Sequence, residues 1–233
     1  SAISRHVSPV EQPNMSEHII TITSDDGFIF DAFYAPAHGE KIGSVIIVQE
    51  IFGLTEQLNA VAWQYAEQGY DAIVPALFDR HAPNTVIPFS TPLIGREIAW
   101  ALDPDKVAMD INATRNHVEG GMGVSLVGFC WGGGQAFRLA CDTSLAPFTS
   151  ATAYYGTALE KHLAANPQGP ACPMLFHFGD TDDHTPKEVI KAVADALPDA
   201  TICIFNAGHA FANDHRETYV AEAAQQAWQN TLT

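Results

Sequence analysis

The most reactive side chain the sequence could offer is Cys130, in Gly128-Phe129-Cys130-Trp131-Gly132. This is G-x-C-x-G, placed where a buried apolar run ends and a helical pattern begins. The serine form of that pattern makes a tight strand-to-helix turn that lifts its central residue out of a sheet. Flanking glycines let strand and helix approach closely, and the turn strains the central residue's backbone. A thiol there sits at a helix N-terminus, whose partial positive charge favours the reactive thiolate. A lone cysteine is ordinarily a buried filler, and Cys141, Cys172 and Cys203, which lack this context, read that way.

A thiol nucleophile needs a base, and the base needs an orienting acid. In a strand–turn–helix hydrolase the chain order is nucleophile, acid, histidine. His209, in Asn206-Ala207-Gly208-His209-Ala210-Phe211, follows the last strand, where a loop can reach back over the nucleophile. His177 lies within a strand and reads as a core residue. His184, in an acidic turn, competes with His209. That turn, Gly179-Asp180-Thr181-Asp182-Asp183-His184, offers three aspartates for the acid, and spacing alone does not separate them.

These residues need a scaffold. Ile19–Thr23 and Phe28–Tyr34 alternate around Asp25-Asp26-Gly27, which predicts a β-hairpin. Ser44–Gln49, Asp71–Pro75, Val124–Phe129, Ser150–Tyr154, Pro173–Phe178 and Thr201–Phe205 read as further strands. Helices are predicted after the Thr55 cap up to Gly69, from Asp103-Pro104, from the glycines after Cys130 to about Cys141, over Pro186–Leu197 and over Glu217–Asn230. Residues 79–102, with three prolines, read as irregular. An antiparallel start followed by strand–helix alternation predicts a mostly parallel eight-stranded sheet with helices on both faces.

Composition sets the outer bounds. The chain has 233 residues, with 47% hydrophobic and 16% charged, which is globular and not disordered. That length suits one large domain, expected over 15–233, with residues 1–14 a loose extension. A net charge of −16 opposes binding to nucleic acid or anionic membrane surfaces. No apolar stretch approaches the roughly 18 residues of a membrane span. Four cysteines without a CxxC pair suit a reducing, cytoplasmic setting and give no zinc ribbon. No metal and no cofactor are expected, since the Asp180–His184 turn has no second ligand cluster nearby in sequence. Oligomeric state is not legible.

From about Met15 onward the chain resembles the dienelactone hydrolase family of α/β-hydrolases. Four motifs carry the likeness in order: Gln49-Glu50-Ile51-Phe52-Gly53-Leu54, Gly128-Phe129-Cys130-Trp131-Gly132-Gly133, Phe176-His177-Phe178-Gly179 leading to Asp182 and Pro186, and Ala207-Gly208-His209-Ala210-Phe211. The resemblance implies an α/β-hydrolase fold, Cys130 as nucleophile, His209 as base and Asp182 as orienter. It also implies that Glu50 pairs with the resting thiol and keeps it protonated until substrate arrives. On physical grounds alone, a carboxylate at the end of a buried apolar strand is costly without a partner. Geometry and resemblance together assign the oxyanion donors to the backbone N–H groups of Trp131 and Ile51. Arg80 matches a family position that holds the substrate's carboxylate; the plainer reading is a surface ion pair with Asp79. Phe52 and Phe211 are expected to line the substrate pocket. The family's dienelactone-active members carry a second arginine shortly after the histidine loop, where this chain has Asn213. Hydrolysis of a lactone or ester is therefore the expected activity, rather than strict dienelactone specificity. A broad carboxylesterase or thioesterase, and a non-catalytic small-molecule binder on the same fold, are the alternatives.

Overall fold

The structure, a computed structural model, describes residues 15–233, and the extension expected over residues 1–14 lies outside them. Eight strands form one sheet in the order β1-β2-β4-β3-β5-β6-β7-β8. The strands are β1 Ile19–Thr23, β2 Ile29–Ala35, β3 Gly43–Val48, β4 Tyr70–Pro75, β5 Val124–Phe129, β6 Ala151–Tyr154, β7 Met174–Gly179 and β8 Thr201–Phe205. β2 pairs antiparallel with β1 and β4, and every pairing from β4 to β8 is parallel. This is the mostly parallel eight-stranded sheet that the pattern of elements predicts, and the α/β-hydrolase fold that the resemblance implies.

The central strands owe their place to composition. Every residue of β3, GSVIIV, is buried, as a strand covered on both faces requires. Edge strand β8 reads TICIF and is partly exposed throughout. The helices are α1 Glu56–Glu67, α2 Pro92–Ala101, α3 Pro104–Val118, α4 Trp131–Ala140, α5 Leu159–Ala165, α6 Lys187–Ala196 and α7 Ala221–Leu232. The step from β3 to β4 runs one way along the sheet, and every later step runs the other way. Right-handed crossovers therefore put α1 on one face and α3 to α6 on the opposite one. The last helix, α7, joins α1, with the Tyr65 and Trp228 rings 4.6 Å apart. Caps follow local chemistry: the Thr55 side chain accepts from Leu58 N–H, and Asp103 accepts from Asp105 N–H ahead of Pro104.

Three helices depart from expectation. The stretch 79–102 is not irregular, because α2 begins at Pro92, where proline's fixed φ suits a first turn. Its inner face is only Gly95, Ile98 and Ala99, while Leu93, Ile94 and Trp100 face outward and hide the period. The short helix α5 escapes a pattern search since only Leu159 is buried along it. The closing helix starts at Ala221, four residues later than Glu217.

The direction of winding reverses at β3, so the carboxyl ends of β3 and β5 flank the topological switch point. Open α/β sheets place their ligand sites in that crevice. Val48 pairs with Gly128 across it, which sets the residues after both strands side by side.

Candidate active site

The turn after β5 is a strained elbow. Cys130 has φ 58° and ψ −119°, a region L-residues rarely occupy. The surrounding backbone holds it there. Cys130 N–H donates to the Tyr154 carbonyl at 3.0 Å, and its own carbonyl accepts from Gly133 N–H at 2.9 Å. A Cβ at Gly128 would overlap the Gly132 carbonyl, and one at Gly132 would overlap the Val48 and Gln49 carbonyls. The two glycines therefore let α4 start directly against β5 and the end of β3.

His209 arrives from the loop after β8. That loop is zipped to the acidic turn after β7: Thr181 N–H donates to the Ala207 carbonyl at 3.1 Å, and Ala207 N–H reaches Asp180 Oδ1 at 3.2 Å. Asp180 thus serves the loop. Asp182 is the aspartate next to the imidazole, with His209 Nδ1 2.8 Å from Asp182 Oδ2. His209 Nε2 is 3.1 Å from Cys130 Sγ. With its Nδ1 proton donated to the carboxylate, the ring turns an acceptor lone pair toward the thiol. His184, the competing base, instead occupies the other carboxylate oxygen. Its backbone N–H donates to Asp182 Oδ1 at 2.8 Å, and its ring stacks on His209 at 4.0 Å. His177 is fully buried in β7 with Nε2 2.9 Å from Thr231 Oγ1, the core role its position in the strand predicts.

The electrostatics follow from burial and neighbours. Burial raises the Cys130 thiol well above its usual range, and the Glu50 carboxylate adds to this, partly opposed by the Trp131 N–H. Burial depresses His209, while Asp182 pulls the other way. Burial would raise Asp182, yet hydrogen bonds from His184 and His209 outweigh it and hold the carboxyl well below the usual range. These shifts favour a protonated thiol, a neutral imidazole and an ionised aspartate in the empty site.

Glu50 is buried directly after β3, and burial raises its carboxyl to about 7. Its Oε1 accepts from Asn213 Nδ2 at 3.1 Å. Its Oε2 has no hydrogen-bond partner among the described residues and faces Arg216 Nη1 at 3.9 Å, beyond hydrogen-bond range. Arg216 was not singled out in the sequence. The available signal was its being the sole lysine or arginine after Lys191.

Arg80 is placed elsewhere. Its guanidinium bonds Asp110 at 2.7 and 3.0 Å and Asp26 at 2.8 and 3.1 Å, and it stacks on Phe28 at 4.0 Å. Neither a free cation for a substrate nor the Asp79 pair describes it. Asp79 is spent on the backbone N–H groups of Asp31 and Asn84. Arg80 is instead a bolt joining the β1–β2 hairpin to α3. Phe52 lies under the Arg216 guanidinium at 5.2 Å and against Phe89. Phe211 is fully buried, packed against Tyr155 and Phe205, rather than at an open wall.

Among the described residues, Asp182, His184 and His209 also bring ligand atoms within 4.8 Å of one another, a grouping able to hold a divalent ion. The sequence hid it because His209 comes from a different loop. No helix of the described residues is long and apolar enough to cross a membrane.

The model of the dienelactone hydrolase family matches residues 30–233. The chain belongs to that family. It is 32% identical over 225 residues to the carboxymethylenebutenolidase of Pseudomonas putida, covering 91% of this chain and 93% of that one. The same figures hold for the carboxymethylenebutenolidase of Pseudomonas knackmussii. Among solved structures, the "putative dienelactone hydrolase" of Klebsiella pneumoniae superposes with a TM-score of 0.79 at 28% identity, over 92% of this chain and 97% of that one. The family makes this chain a hydrolase acting on esters or lactones, which sets aside the non-catalytic binder. The crevice between β3 and β5 is where an open α/β sheet of this winding binds its ligands.

Proposed function

We propose that the chain cleaves a carboxylic ester or lactone through a thioester on Cys130, with His209 as general base and Asp182 as its orienter. The observation that carries this is the unbroken relay in which His209 touches Asp182 at 2.8 Å and the sulfur at 3.1 Å. Geometry of this kind matters more than the resting pKa of the thiol, because the proton moves only as the carbonyl is attacked.

In the first half-reaction Sγ bonds to the substrate's carbonyl carbon while its proton passes to His209 Nε2. The carbonyl oxygen takes up the displaced electron pair and is held by the Ile51 and Trp131 N–H groups. Collapse of this intermediate breaks the carbon–oxygen bond, and His209 returns its proton to the leaving alkoxide or enolate. In the second half-reaction His209 deprotonates a water, which attacks the thioester. The acid departs and the thiol is restored. A lactone keeps its leaving oxygen tethered, so one product results.

Glu50 and Arg216 add control and selectivity. Glu50 disfavours a free thiolate while the site is empty. Arg216, one-quarter exposed and lacking a hydrogen bond to a carboxylate, can receive an anionic group of the substrate. It supplies from position 216 the cation that Asn213 lacks. This favours a carboxylated lactone or ester over a broad neutral esterase activity. The direct test is Cys130→Ala assayed with an activated aryl ester: loss of hydrolysis supports the reading, and retention of most of the rate rejects it. A panel of cyclic enol-lactones and linear aryl esters, each with and without a carboxylate, separates the two substrate classes.

A further inference from the structure

Gln49, the last residue before Glu50, is completely buried at the carboxyl end of β3. A buried primary amide must satisfy both its ends. Here Oε1 accepts from the Leu77 N–H at 3.0 Å, just past β4. Nε2 donates at 3.0 Å to the carbonyl of Glu50. That carbonyl belongs to the Glu50–Ile51 peptide, whose other polar group is the Ile51 N–H. The peptide is trans, as are all peptides of the described residues. In a planar trans peptide the carbonyl and the N–H point in opposite directions. An amide that grips the carbonyl on one side therefore aims the N–H to the other.

Three further facts fix where that N–H stands. Among the described residues it donates to no protein acceptor, although most backbone donors in such places are paired. On one side a Cβ at Gly132, adjacent to Trp131, would overlap the Val48 and Gln49 carbonyls, so the elbow and the end of β3 touch backbone to backbone. On the other side a Cβ at Gly95 would overlap the Ile51 carbonyl, so α2 closes on the next peptide. The Ile51 N–H is thus left without a protein acceptor among the described residues, on the stretch of chain that leaves β3 against the elbow.

We infer that Gln49 is a positioning residue for the oxyanion hole, acting through the Glu50–Ile51 peptide. It bonds one edge of the peptide so that the opposite edge is ready for charge developing on the substrate. Preorganised donors cost no reorganisation at the moment of reaction, and a rotated peptide would present a carbonyl oxygen where an N–H is needed. The inference rests on the thioester mechanism proposed above.

The test compares Gln49→Met and Gln49→Glu with the native enzyme, using p-nitrophenyl acetate for turnover and iodoacetamide for Cys130. Alkylation forms a carbon–sulfur bond and releases iodide without creating an oxyanion, so it reports the thiol and base but not the hole. Gln49→Met should lower kcat roughly ten- to hundredfold, less than the roughly 10² to 10³ for losing an oxyanion donor outright because the donor is misaimed rather than removed, with KM and the alkylation rate little changed. Acylation and deacylation both pass through an oxyanion, so kcat falls whichever limits it. In Gln49→Glu a protonated carboxyl can still donate to the Glu50 carbonyl, whereas an ionised one cannot. Its kcat relative to the native enzyme should therefore fall as pH rises, while that of Gln49→Met stays level. Native-like kcat in Gln49→Met overturns the inference. So does a parallel fall of kcat and alkylation, or a Gln49→Glu to native ratio that does not vary with pH. Cys130→Ala is run alongside: hydrolysis surviving in it would refute the thioester mechanism itself, whereas an inactive Cys130→Ala beside a fully active Gln49→Met would refute only the role of Gln49.

Discussion

Asp182→Asn is the substitution whose outcome the geometry constrains most. Asp182 Oδ1 accepts from the His184 backbone N–H at 2.8 Å and faces His184 Nδ1 at 3.4 Å, while Oδ2 faces His209 Nδ1 at 2.8 Å. An amide in the same place has one acceptor and one donor end. The His184 backbone N–H cannot change its role, so it claims the amide oxygen. The NH₂ then faces His209 Nδ1, which must become an acceptor. The ring proton moves to Nε2, the atom 3.1 Å from Cys130 Sγ, where a lone pair is required. The base is left in the wrong tautomer with its geometry intact. The corresponding change in serine triads costs about 10⁴ in kcat, or about 5.5 kcal/mol of transition-state stabilisation. We expect a loss of about 10³ to 10⁴ in kcat for an activated aryl ester, measured at several pH values beside a thermal melt. Asp182→Ala, which imposes no tautomer, should lose less. Asp182→Asn activity within tenfold of native, in a protein that melts normally, would refute this reasoning.

Three other outcomes follow from the site and its frame. The Glu50 carboxyl, raised to about 7 from 4.5, favours the protonated form in the folded state. Its burial therefore costs stability progressively as pH rises from about 4.5 to 7, and the full cost is present above 7. Glu50→Gln should gain at most about 3 kcal/mol above pH 7 and nothing near pH 4, read from denaturant melts, and should speed Cys130 alkylation. Arg216→Met should raise KM about tenfold for a carboxylated ester and leave a neutral ester unchanged; equal effects on both would exclude an anion-receiving role. Arg80→Met should leave KM alone but strand the buried Asp110 carboxylate, costing about 3 kcal/mol; a raised KM at native stability would return Arg80 to the substrate.

How much of this could be read from the chain depended on whether the information was local. The elbow was legible because Gly128, Cys130 and Gly132 lie within five residues and mark the end of an apolar strand. The order of strands followed from alternation and burial, since β3 and β5 carry no polar interruption at their centres. His209 and Asp182 were legible by motif, yet spacing alone left Asp180 and Asp183 open. Only the fold shows Asp180 bonding the Ala207 N–H instead. The ion pairs of Arg80 leave no trace in spacing, because its partners, Asp26 and Asp110, stand 54 and 30 residues away and meet it only after folding. Arg216 was overlooked because counting from His209 ended at Asn213, whereas the turn at Asn213 and His215 carries the chain back toward Glu50. α2 was hidden by its outward Leu93, Ile94 and Trp100, which blur the helical period. Gln49 carried no signal beyond its motif, since a side chain bonding the next peptide's carbonyl leaves no trace in spacing.

The central claim is that substrate is carried as a thioester on one particular sulfur. Rapid acid quench of the native enzyme during turnover of an activated aryl ester, followed by peptide mass spectrometry, measures this directly. The account expects an acyl group on the peptide containing Cys130 and none on those containing Cys141, Cys172 or Cys203. It also expects the adduct to accumulate in His209→Gln once acylation is forced with excess ester. Hydrolysis proceeding at full rate with no acyl group on Cys130, at quench times shorter than one turnover, would contradict it.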